Sequence, residues 1–480
     1  MQRPNILLIT ADQISAKQLG CYGDVTGATP NLDSLAARGL RFENAYTPSP
    51  ICIPARASMV TGQYPHTHGK LAHVRMPMEP RPPMLAEILS ANGYQTGLVG
   101  KTHFHPPDDP LGFQKAQFTI DTVLGYELGL KDGYLQFLQQ QGVLDEMGIT
   151  DFSKETFRAY RTRIASLPEK IHRASWVGEQ SCQQLRAFAK GAQPFFMHCS
   201  FVEPHGPEDC PPKFAEKFKG KTPTPVTREN ELDDKPAVQR TFAENYWKMM
   251  QRGYPNIDPE QMRCRFYGLV NLVDKNIGKV MRALDECNLT DSTVVMFLTD
   301  HGESLGDHGM WGKAFFYDSC ANVPWICAGP NMPSGRSSGA LVSLVDLLPT
   351  ILGLAGISSD ALQLDGASLW PQLKDPAALG RSAVFSELCQ GQCLPPGTLC
   401  NCKMVRSEQW KYVYYSDGPE EELYDLANDR DELYNLASDQ TQQHQIRHMR
   451  DLLLKWLVET EVNRLHPTAD SHYPMPRYCP

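Results

Sequence analysis

The sequence lacks the features that mark several classes of protein. No basic stretch offsets the formal net charge of −9, which argues against a nucleic-acid partner because phosphates are bound by clustered Lys and Arg. No apolar run approaches the roughly 20 residues of a membrane-spanning helix. The first residues, MQRPNILLITADQ, hold too short an apolar run for a signal peptide and no cleavage site. We therefore expect a cytoplasmic protein whose 14 cysteines stay mostly reduced.

The overall composition is typical of a globular protein with a large core. The chain has 480 residues, of which 41% are hydrophobic and 21% charged. This length predicts one large domain and a smaller one.

Continuous apolar runs predict buried strands of a parallel sheet. They lie at residues 5–10, 96–100, 194–201 and 293–299. Amphipathic helices are predicted between them at 83–92, 265–287 and 343–356, the last with Ser343 as N-cap. Residues 207–262 are rich in proline and charge and are interpreted as a long excursion. The alternation predicts an α/β fold with a large, mostly parallel central sheet flanked by helices.

The pattern changes after about residue 372. Short alternating segments predict a small antiparallel sheet, and a final helix follows over 442–462. We expect a catalytic domain at 1–372 and a smaller C-terminal α+β domain at 373–480.

Polar residues follow the predicted strands at the edge where ligands of parallel sheets gather. Asp12 and Gln13 end the first strand, and Asp300 and His301 end the fourth. Carboxylates, an amide oxygen and an imidazole suit a divalent cation such as Ca²⁺, Mg²⁺ or Mn²⁺. The alternative is that Asp12 and Asp300 only cap the following helices.

Potential cations lie close to the same edge. They are Lys101, His103, His205 and Lys313, with Arg56 on the segment described next. Each has an ordinary alternative role as an exposed lysine or a hydrogen-bonded loop histidine. Together they predict a positive site for a small tetrahedral oxyanion in an otherwise acidic protein.

Cys52 lies in the stretch SPICIPARASMVTG, between prolines and one helical turn before Arg56. Three interpretations are open at this point. Cys52 is a small buried apolar residue, a thiolate activated by Arg56 and a helix N-terminus, or the precursor of another group.

Several longer motifs resemble one known family. They are CIPAR followed by TG, GYQTGLVGK at 93–101, SFVEPHGP at 200–207, TDHGESLGDHGMWGK at 299–313 and QLDGASLWPQL at 363–373. With WKYVYY and ELYDLANDRDELYNLA further on, they resemble the type I, formylglycine-dependent sulfatases of the alkaline phosphatase-like superfamily. The resemblance runs from residue 4 to about residue 437.

The resemblance implies a modified nucleophile and a metal. Cys52 would be oxidised to Cα-formylglycine by a formylglycine-generating enzyme, and its hydrate would attack the sulfur of a small-molecule sulfate ester. One divalent cation, Ca²⁺ with Mn²⁺ or Mg²⁺ as alternatives, would be held by Asp12, Gln13, Cys52, Asp300 and His301. The catalytic set would be Cys52, Arg56, Lys101, His103, His205 and Lys313. We expect His205 to protonate the departing alcohol and His103 to accept the proton whose loss releases sulfate.

Some positions depart from the common family pattern. Ile53 replaces a small residue, and Thr102 replaces an aromatic before the histidine. The metal set is similar to those of choline sulfatases and phosphonate monoester hydrolases. Lys101 and His103 favour a sulfatase, because those phosphonate hydrolases tend to carry Tyr and Thr there. A phosphonate monoester or phosphodiester hydrolase and an unmodified metal-binding relic stay open as alternatives.

The remaining cysteines and the tail allow weaker predictions. Cys389, Cys393, Cys400 and Cys402 lie within 14 residues and could bind zinc or form disulfides. Their spacing is not a standard zinc pattern, which favours free cysteines lining the entrance. The tail at 466–480 could dock on a neighbouring copy, so a homo-oligomer is possible.

Overall fold

The order of elements follows the predicted alternation of strands and helices. A computed structural model describes residues 3–73, 76–79, 81–120, 131–146, 167–206, 210–253, 258–389, 401–416, 418 and 420–462. The strands in these ranges are β1 (Asn5–Asp12), β2 (Leu40–Tyr46), β3 (Gln95–Gly100), β4 (Lys115–Phe118), β5 (Phe195–Pro204), β6 (Thr293–Thr299), β7 (Trp325–Ala328), β8 (Arg336–Ser343), β9 (Ala383–Cys389), β10 (Asn401–Ser407), β11 (Trp410–Tyr415) and β12 (Glu421–Asp425). The helices there are α1 (Pro30–Ala37), α2 (Cys52–Thr61), α3 (Pro65–His68), α4 (Leu85–Ala91), α5 (Gly133–Gln140), α6 (Val143–Glu146), α7 (Arg173–Phe188), α8 (Pro212–Ala215), α9 (Ala237–Gly253), α10 (Pro259–Glu286), α11 (Asp318–Ala321), α12 (Leu347–Leu354), α13 (Trp370–Lys374) and α14 (Gln443–Val462).

The large sheet confirms the predicted fold class. Its eight strands follow the order β4-β3-β5-β1-β6-β7-β2-β8. Strand β7 is antiparallel to both of its neighbours, whereas the other neighbouring pairs are parallel. The four predicted strands β3, β5, β1 and β6 are adjacent, so their carboxyl ends share one edge of the sheet.

Side chains of β1 alternate between two apolar cores, as the two-residue period of a strand requires. Leu7 and Ile9 face the core that contains α1, α7 and α10, whereas Ile6 and Leu8 face the core that contains α2, α4 and α12. Because both faces of the sheet are covered, its central strands carry mostly apolar residues on both faces. This explains why these strands could be predicted from short apolar runs.

Helix α10 begins earlier than the apolar pattern predicts. The pattern starts at Arg265, but the helix starts at Pro259. Asp258 is its N-cap and accepts a hydrogen bond from the Gln261 amide at 2.7 Å. Asp before Pro is a helix-start signal that an apolar period cannot detect.

The helical segment predicted over 343–356 is confirmed with Ser343 as its N-cap, but it begins as a 3-10 turn and ends at Leu354. Ser343 is the last residue of β8 and has extended backbone angles, φ −127° and ψ 151°. A short 3-10 turn follows at Leu344–Asp346, and α12 covers only Leu347–Leu354. Extended angles are those of an N-cap residue, and the backbone amide of Ser343 donates to Asp346 Oδ2 at 2.9 Å, as in a capping box. The excursion predicted at 207–262 contains a further unpredicted helix, α9.

The predicted C-terminal antiparallel sheet is confirmed, in the order β12-β11-β10-β9. One face packs against α14. The other packs against the segment 310–321 that follows β6, where a buried group forms that we call the C-terminal polar cluster: Gln239, Tyr317, Tyr415, Glu422 and Tyr424. The domain division at 372/373 stays a prediction. None of the helices described above is both long and apolar enough to cross a membrane.

Candidate active site at the carboxyl edge of the large sheet

The polar residues predicted at the strand ends do meet at one edge of the sheet. Asp12 ends β1, Lys101 and His103 follow β3, His205 follows β5, and Asp300 and His301 follow β6. Helix α2 brings Cys52 and Arg56 to the same edge, and the loop after β6 returns Lys313 to it. Most of these side chains are buried, whereas His205 and Lys313 are partly buried.

Cys52 lies at the centre of the site. Its Sγ is 2.8 Å from Lys313 Nζ, 3.1 Å from His301 Nε2 and 3.7 Å from Asp12 Oδ1. Burial raises the pKa of the thiol, but Lys313, His301 and Lys101 outweigh that effect and hold the pKa well below its usual range. The position therefore favours negative charge on the group at residue 52.

Arg56 bridges the carboxylates of Asp12 and Asp300. Its Nε donates to Asp300 Oδ2 at 2.7 Å, and its Nη2 donates to Asp12 Oδ2 at 3.3 Å. Its Nη1 also donates to the backbone oxygen of Lys101 at 3.1 Å. Losing one partner of such a buried ionic group typically costs 3–5 kcal/mol, so Arg56 is a structural anchor as well as a nearby cation.

Four residues offer ligand atoms to one point. These atoms, from Asp12, Cys52, Asp300 and His301, all lie within 4.8 Å of one another. His301 Nδ1 donates to the Gly302 carbonyl at 3.0 Å, so Nε2 is the ring nitrogen that lies beside the carboxylates of Asp12 and Asp300. Although burial lowers the pKa of His301, Asp300 and Cys52 raise it above its ordinary value, a sign that the position attracts positive charge.

Gln13, which the sequence predicts as a further ligand, directly follows β1. Its Nε2 donates to the Glu303 carboxylate, and its Oε1 is buried without a hydrogen-bond partner in the described part of the chain. An unpaired buried amide oxygen costs free energy unless something binds it. Two carboxylates, an amide oxygen and an imidazole fit a divalent cation that prefers oxygen ligands.

Lys101 and His103 lie on the other side of Cys52. Lys101 Nζ forms an ion pair with Asp12 Oδ2 at 2.6 Å. Burial and Lys101 lower the pKa of His103 to about 3, against an opposing effect of the Cys52 side chain. This environment therefore disfavours the charged imidazolium form of His103.

His205 lies further out on the same edge. Its Nδ1 is 2.8 Å from the Gly206 carbonyl and donates to it, so Nε2 is the ring nitrogen that is left to contact a substrate. Burial and Cys52 raise the pKa of Asp12, but Lys101, His205 and Arg56 hold it well below its usual range. His205 therefore lies within electrostatic reach of the site.

Sequence analysis missed two contributors. Glu303 contacts Gln13, and Ser200 Oγ donates to the Lys101 carbonyl at 2.7 Å while it accepts from Arg56 Nη1 at 3.2 Å. Both lie inside motifs that were quoted for the family resemblance. The only available signal was a polar side chain near a strand end, which does not identify its partner.

The cysteine cluster is only partly described. Cys389 and Cys402 are buried free thiols in β9 and β10. Cys393, Cys400 and the tail at 466–480 lie outside the described residues. Zinc binding, disulfide formation and docking of the tail stay predictions.

Comparisons with known proteins agree with this geometry. The family model described as Sulfatase matches residues 4–357, and one described as N-sulphoglucosamine sulphohydrolase, C-terminal, matches residues 306–459. An arylsulfatase of Clostridium perfringens is 28% identical over 95% of this chain and 94% of its own. A choline-sulfatase of Rhizobium meliloti is 29% identical over 89% of this chain and 81% of its own. The crystal structure of a phosphonate monoester hydrolase of Agrobacterium radiobacter superposes with a TM-score of 0.77 at 25% identity, over 95% of this chain and 96% of that one.

Proposed function

Because the chain belongs to the sulfatase family and is a sulfuric ester hydrolase, we propose that it acts through a formylglycine made from Cys52 and one divalent cation. The products would be an alcohol and inorganic sulfate. The observation that carries this proposal is the convergence of Lys313, Lys101 and His301 on the Sγ of Cys52. Such a site favours an anionic nucleophile and a tetrahedral oxyanion beside it.

Two absent groups would supply the reactive chemistry. The cation, Ca²⁺ with Mn²⁺ or Mg²⁺ as alternatives, would be held by Asp12, Gln13, residue 52, Asp300 and His301, and would supply positive charge that lowers the pKa of a nearby hydroxyl. The hydrated formylglycine would supply two hydroxyl groups, one to attack sulfur and one whose deprotonation allows sulfate to leave. The Sγ of Cys52 marks the place that the attacking oxygen would occupy.

The remaining residues would bind the sulfate and move protons. Lys313 reaches residue 52 at 2.8 Å and would hold the sulfate beside it. Arg56 and Lys101 would fix the orientation of the group at residue 52 through the Asp12 carboxylate, which both of them contact. Asp300 would accept the proton of the attacking hydroxyl.

The two histidines would act at opposite ends of the reaction. His205, at the outer edge, would protonate the departing alcohol. His103, whose side chain hydrogen-bonds with that of Cys52, would accept the proton of the second hydroxyl. General acid–base catalysis of this kind typically contributes 10²–10⁴-fold.

Other parts of the proposal concern the setting of the enzyme. A formylglycine-generating enzyme would act on Cys52 before folding, because the residue is fully buried in the folded chain. A cytoplasmic location and a homo-oligomer stay predictions.

A phosphonate monoester or phosphodiester hydrolase is the second candidate. A phosphonate monoester hydrolase shares this fold over nearly the whole chain, and tetrahedral sulfate and phosphonate esters suit the same cations. Lys101 and His103 favour sulfate. Rates on nitrophenyl sulfate, a nitrophenyl phosphonate and a nitrophenyl phosphodiester, measured with one fully matured preparation, distinguish the two. We expect the highest kcat/KM on the sulfate; a higher value on either phosphorus ester would support the second candidate.

A further inference from the structure

Glu303 is a buried carboxylate that touches the site without facing residue 52. It lies three residues after Asp300, and only 4% of its surface is exposed. Its Oε1 accepts hydrogen bonds from the backbone amides of Gly312 at 2.5 Å and Leu305 at 3.2 Å. These backbone donors hold the carboxylate in one orientation.

The other oxygen of Glu303 determines which way the Gln13 amide points. Glu303 Oε2 accepts from Gln13 Nε2. A carboxylate can only accept hydrogen bonds, so it must face the NH₂ end of the amide. The carbonyl end, Gln13 Oε1, is thereby turned away from Glu303, and it is the atom that lacks a hydrogen-bond partner among the described residues.

The backbone of Gln13 is also held in an unusual conformation. Its φ is +74°, in the left-handed region that costs a residue other than glycine of order 1 kcal/mol or more. Its amide nitrogen is 3.2 Å from Asp300 Oδ1, which helps hold this turn. This turn, directly after β1, brings the backbone amide of Gln13 to Asp300 and its side chain to Glu303.

We propose that Glu303 is a positioning residue that holds Gln13 with its Oε1 aimed at the divalent cation. This inference rests on the cation of the proposed function. Glu303 would act only through Gln13: it would fix the amide in the orientation that binds a cation and exclude the flipped orientation, which presents NH₂ and repels one.

The isosteric variant Glu303→Gln breaks this arrangement for a specific reason. A glutamine at position 303 has a single side-chain oxygen, so it cannot accept from Gly312 and Leu305 and also from Gln13. If its oxygen stays with the backbone amides, its NH₂ faces Gln13 and favours the flipped Gln13 amide. We therefore expect weaker cation binding with little change in fold.

The test is a titration of the full-length, matured protein with Mn²⁺ alone. The electron paramagnetic resonance signal of free Mn²⁺, measured at each addition, gives the Kd. Glu303→Gln should raise the Kd for Mn²⁺ by about 10–100-fold, as is usual for a residue that orients a metal ligand. The decisive readout is a double-mutant cycle with Gln13→Ala. In the Gln13→Ala background, Glu303→Gln should change the Kd by less than about 2-fold.

Glu422→Gln is the matched control, because it is the same change at a buried glutamate of the C-terminal polar cluster. It should leave the Kd for Mn²⁺ unchanged. Thermal unfolding without metal shows whether Glu303→Gln folds. If it does not, Glu303→Asp, which has a shorter side chain but keeps both carboxylate oxygens, replaces Glu303→Gln in the double-mutant cycle.

The outcomes separate this inference from the function on which it rests. If the wild-type protein binds Mn²⁺ and Glu303→Gln binds it equally well, the positioning role is overturned and the proposed function stands. The same holds if the effects of Glu303→Gln and Gln13→Ala are additive. If the wild-type protein binds no Mn²⁺ but hydrolyses sulfate esters, the inference and the cation are both overturned. If it binds Mn²⁺ in the predicted cycle but hydrolyses no ester, only the proposed function fails.

Discussion

Two buried polar regions of this protein differ in how completely their charged and polar groups are hydrogen-bonded within the protein. In the C-terminal polar cluster, Glu422 Oε1 accepts from Tyr317 and Tyr424, and Glu422 Oε2 accepts from Gln239 and Tyr415. Every hydrogen bond of that carboxylate is made inside the protein. The cluster is therefore a closed network of the kind that fixes a packing arrangement.

In the candidate active site, by contrast, some buried polar atoms are not paired within the described part of the protein. Lysines 101 and 313 and Arg56 surround a single side chain at residue 52, and Gln13 Oε1 and His103 Nδ1 have no hydrogen-bond partner among the described residues. Both regions are buried, so burial of charge alone does not distinguish a functional site. The convergence of several charged groups on one side chain does.

The largest effect is expected from Cys52→Ala. Removing the proposed nucleophile should lower kcat/KM by roughly 10⁴-fold or more, with little loss of stability. Cys199→Ala is the matched control, because burial in β5 raises the pKa of that thiol to about 12 and makes it inert. Cys199→Ala should keep its activity. Steady-state kinetics on nitrophenyl sulfate measure both, and an active Cys52→Ala enzyme would remove the nucleophile from the account.

The next effect concerns His205 and depends on the leaving group. A nitrophenolate departs almost unaided, whereas an alkoxide needs a proton. His205→Ala should therefore slow an alkyl sulfate by about 10²–10⁴-fold, or about 3–5 kcal/mol, and slow nitrophenyl sulfate far less.

His103→Ala sharpens this contrast. It should slow both esters alike and produce a burst of nitrophenol, because it acts after the alcohol has left. If His103→Ala shows the leaving-group dependence and His205→Ala does not, the two roles are exchanged.

A smaller effect on turnover is expected when one negative charge is removed from the proposed cation ligands. Asp12→Asn and Asp300→Asn should each weaken Ca²⁺ binding by about 100-fold and lower turnover in parallel, because each removes a negative ligand. Asp274→Asn is the control: that buried carboxylate accepts from the amides of Asn31 and Leu32, far from residue 52 in the opposite core. Calorimetric titration measures the Ca²⁺ affinity. Fully active enzyme that elemental analysis finds free of metal would contradict the assignment.

The smallest effect on catalysis is expected in the C-terminal polar cluster. Glu422→Gln replaces an acceptor of four hydrogen bonds and should lower the free energy of unfolding by about 1–3 kcal/mol. The activity of the folded fraction should not change. Urea unfolding followed by tyrosine and tryptophan fluorescence measures the first quantity. A loss of kcat without a loss of stability would mean that the two regions are not distinct.

Sequence analysis located the residues of the site better than their partners. Asp12 and Asp300 could be predicted because each ends an apolar run, and buried parallel strands consist of such runs. Glu303 could not be assigned to Gln13, because the contact spans 290 residues and depends on β6 pairing with β1. Strand β2 was missed for a related reason: LRFENAY mixes buried and half-buried positions and gives neither a clean alternation nor an apolar run.

The most direct test of the central claim is a titration of activity against the chemical state of residue 52. Preparations with and without co-expressed formylglycine-generating enzyme give a range of aldehyde fractions, which peptide mass spectrometry measures. We expect kcat on nitrophenyl sulfate to rise in proportion to that fraction and to extrapolate to zero where residue 52 is entirely thiol. Full activity in protein that contains only the thiol would contradict the account.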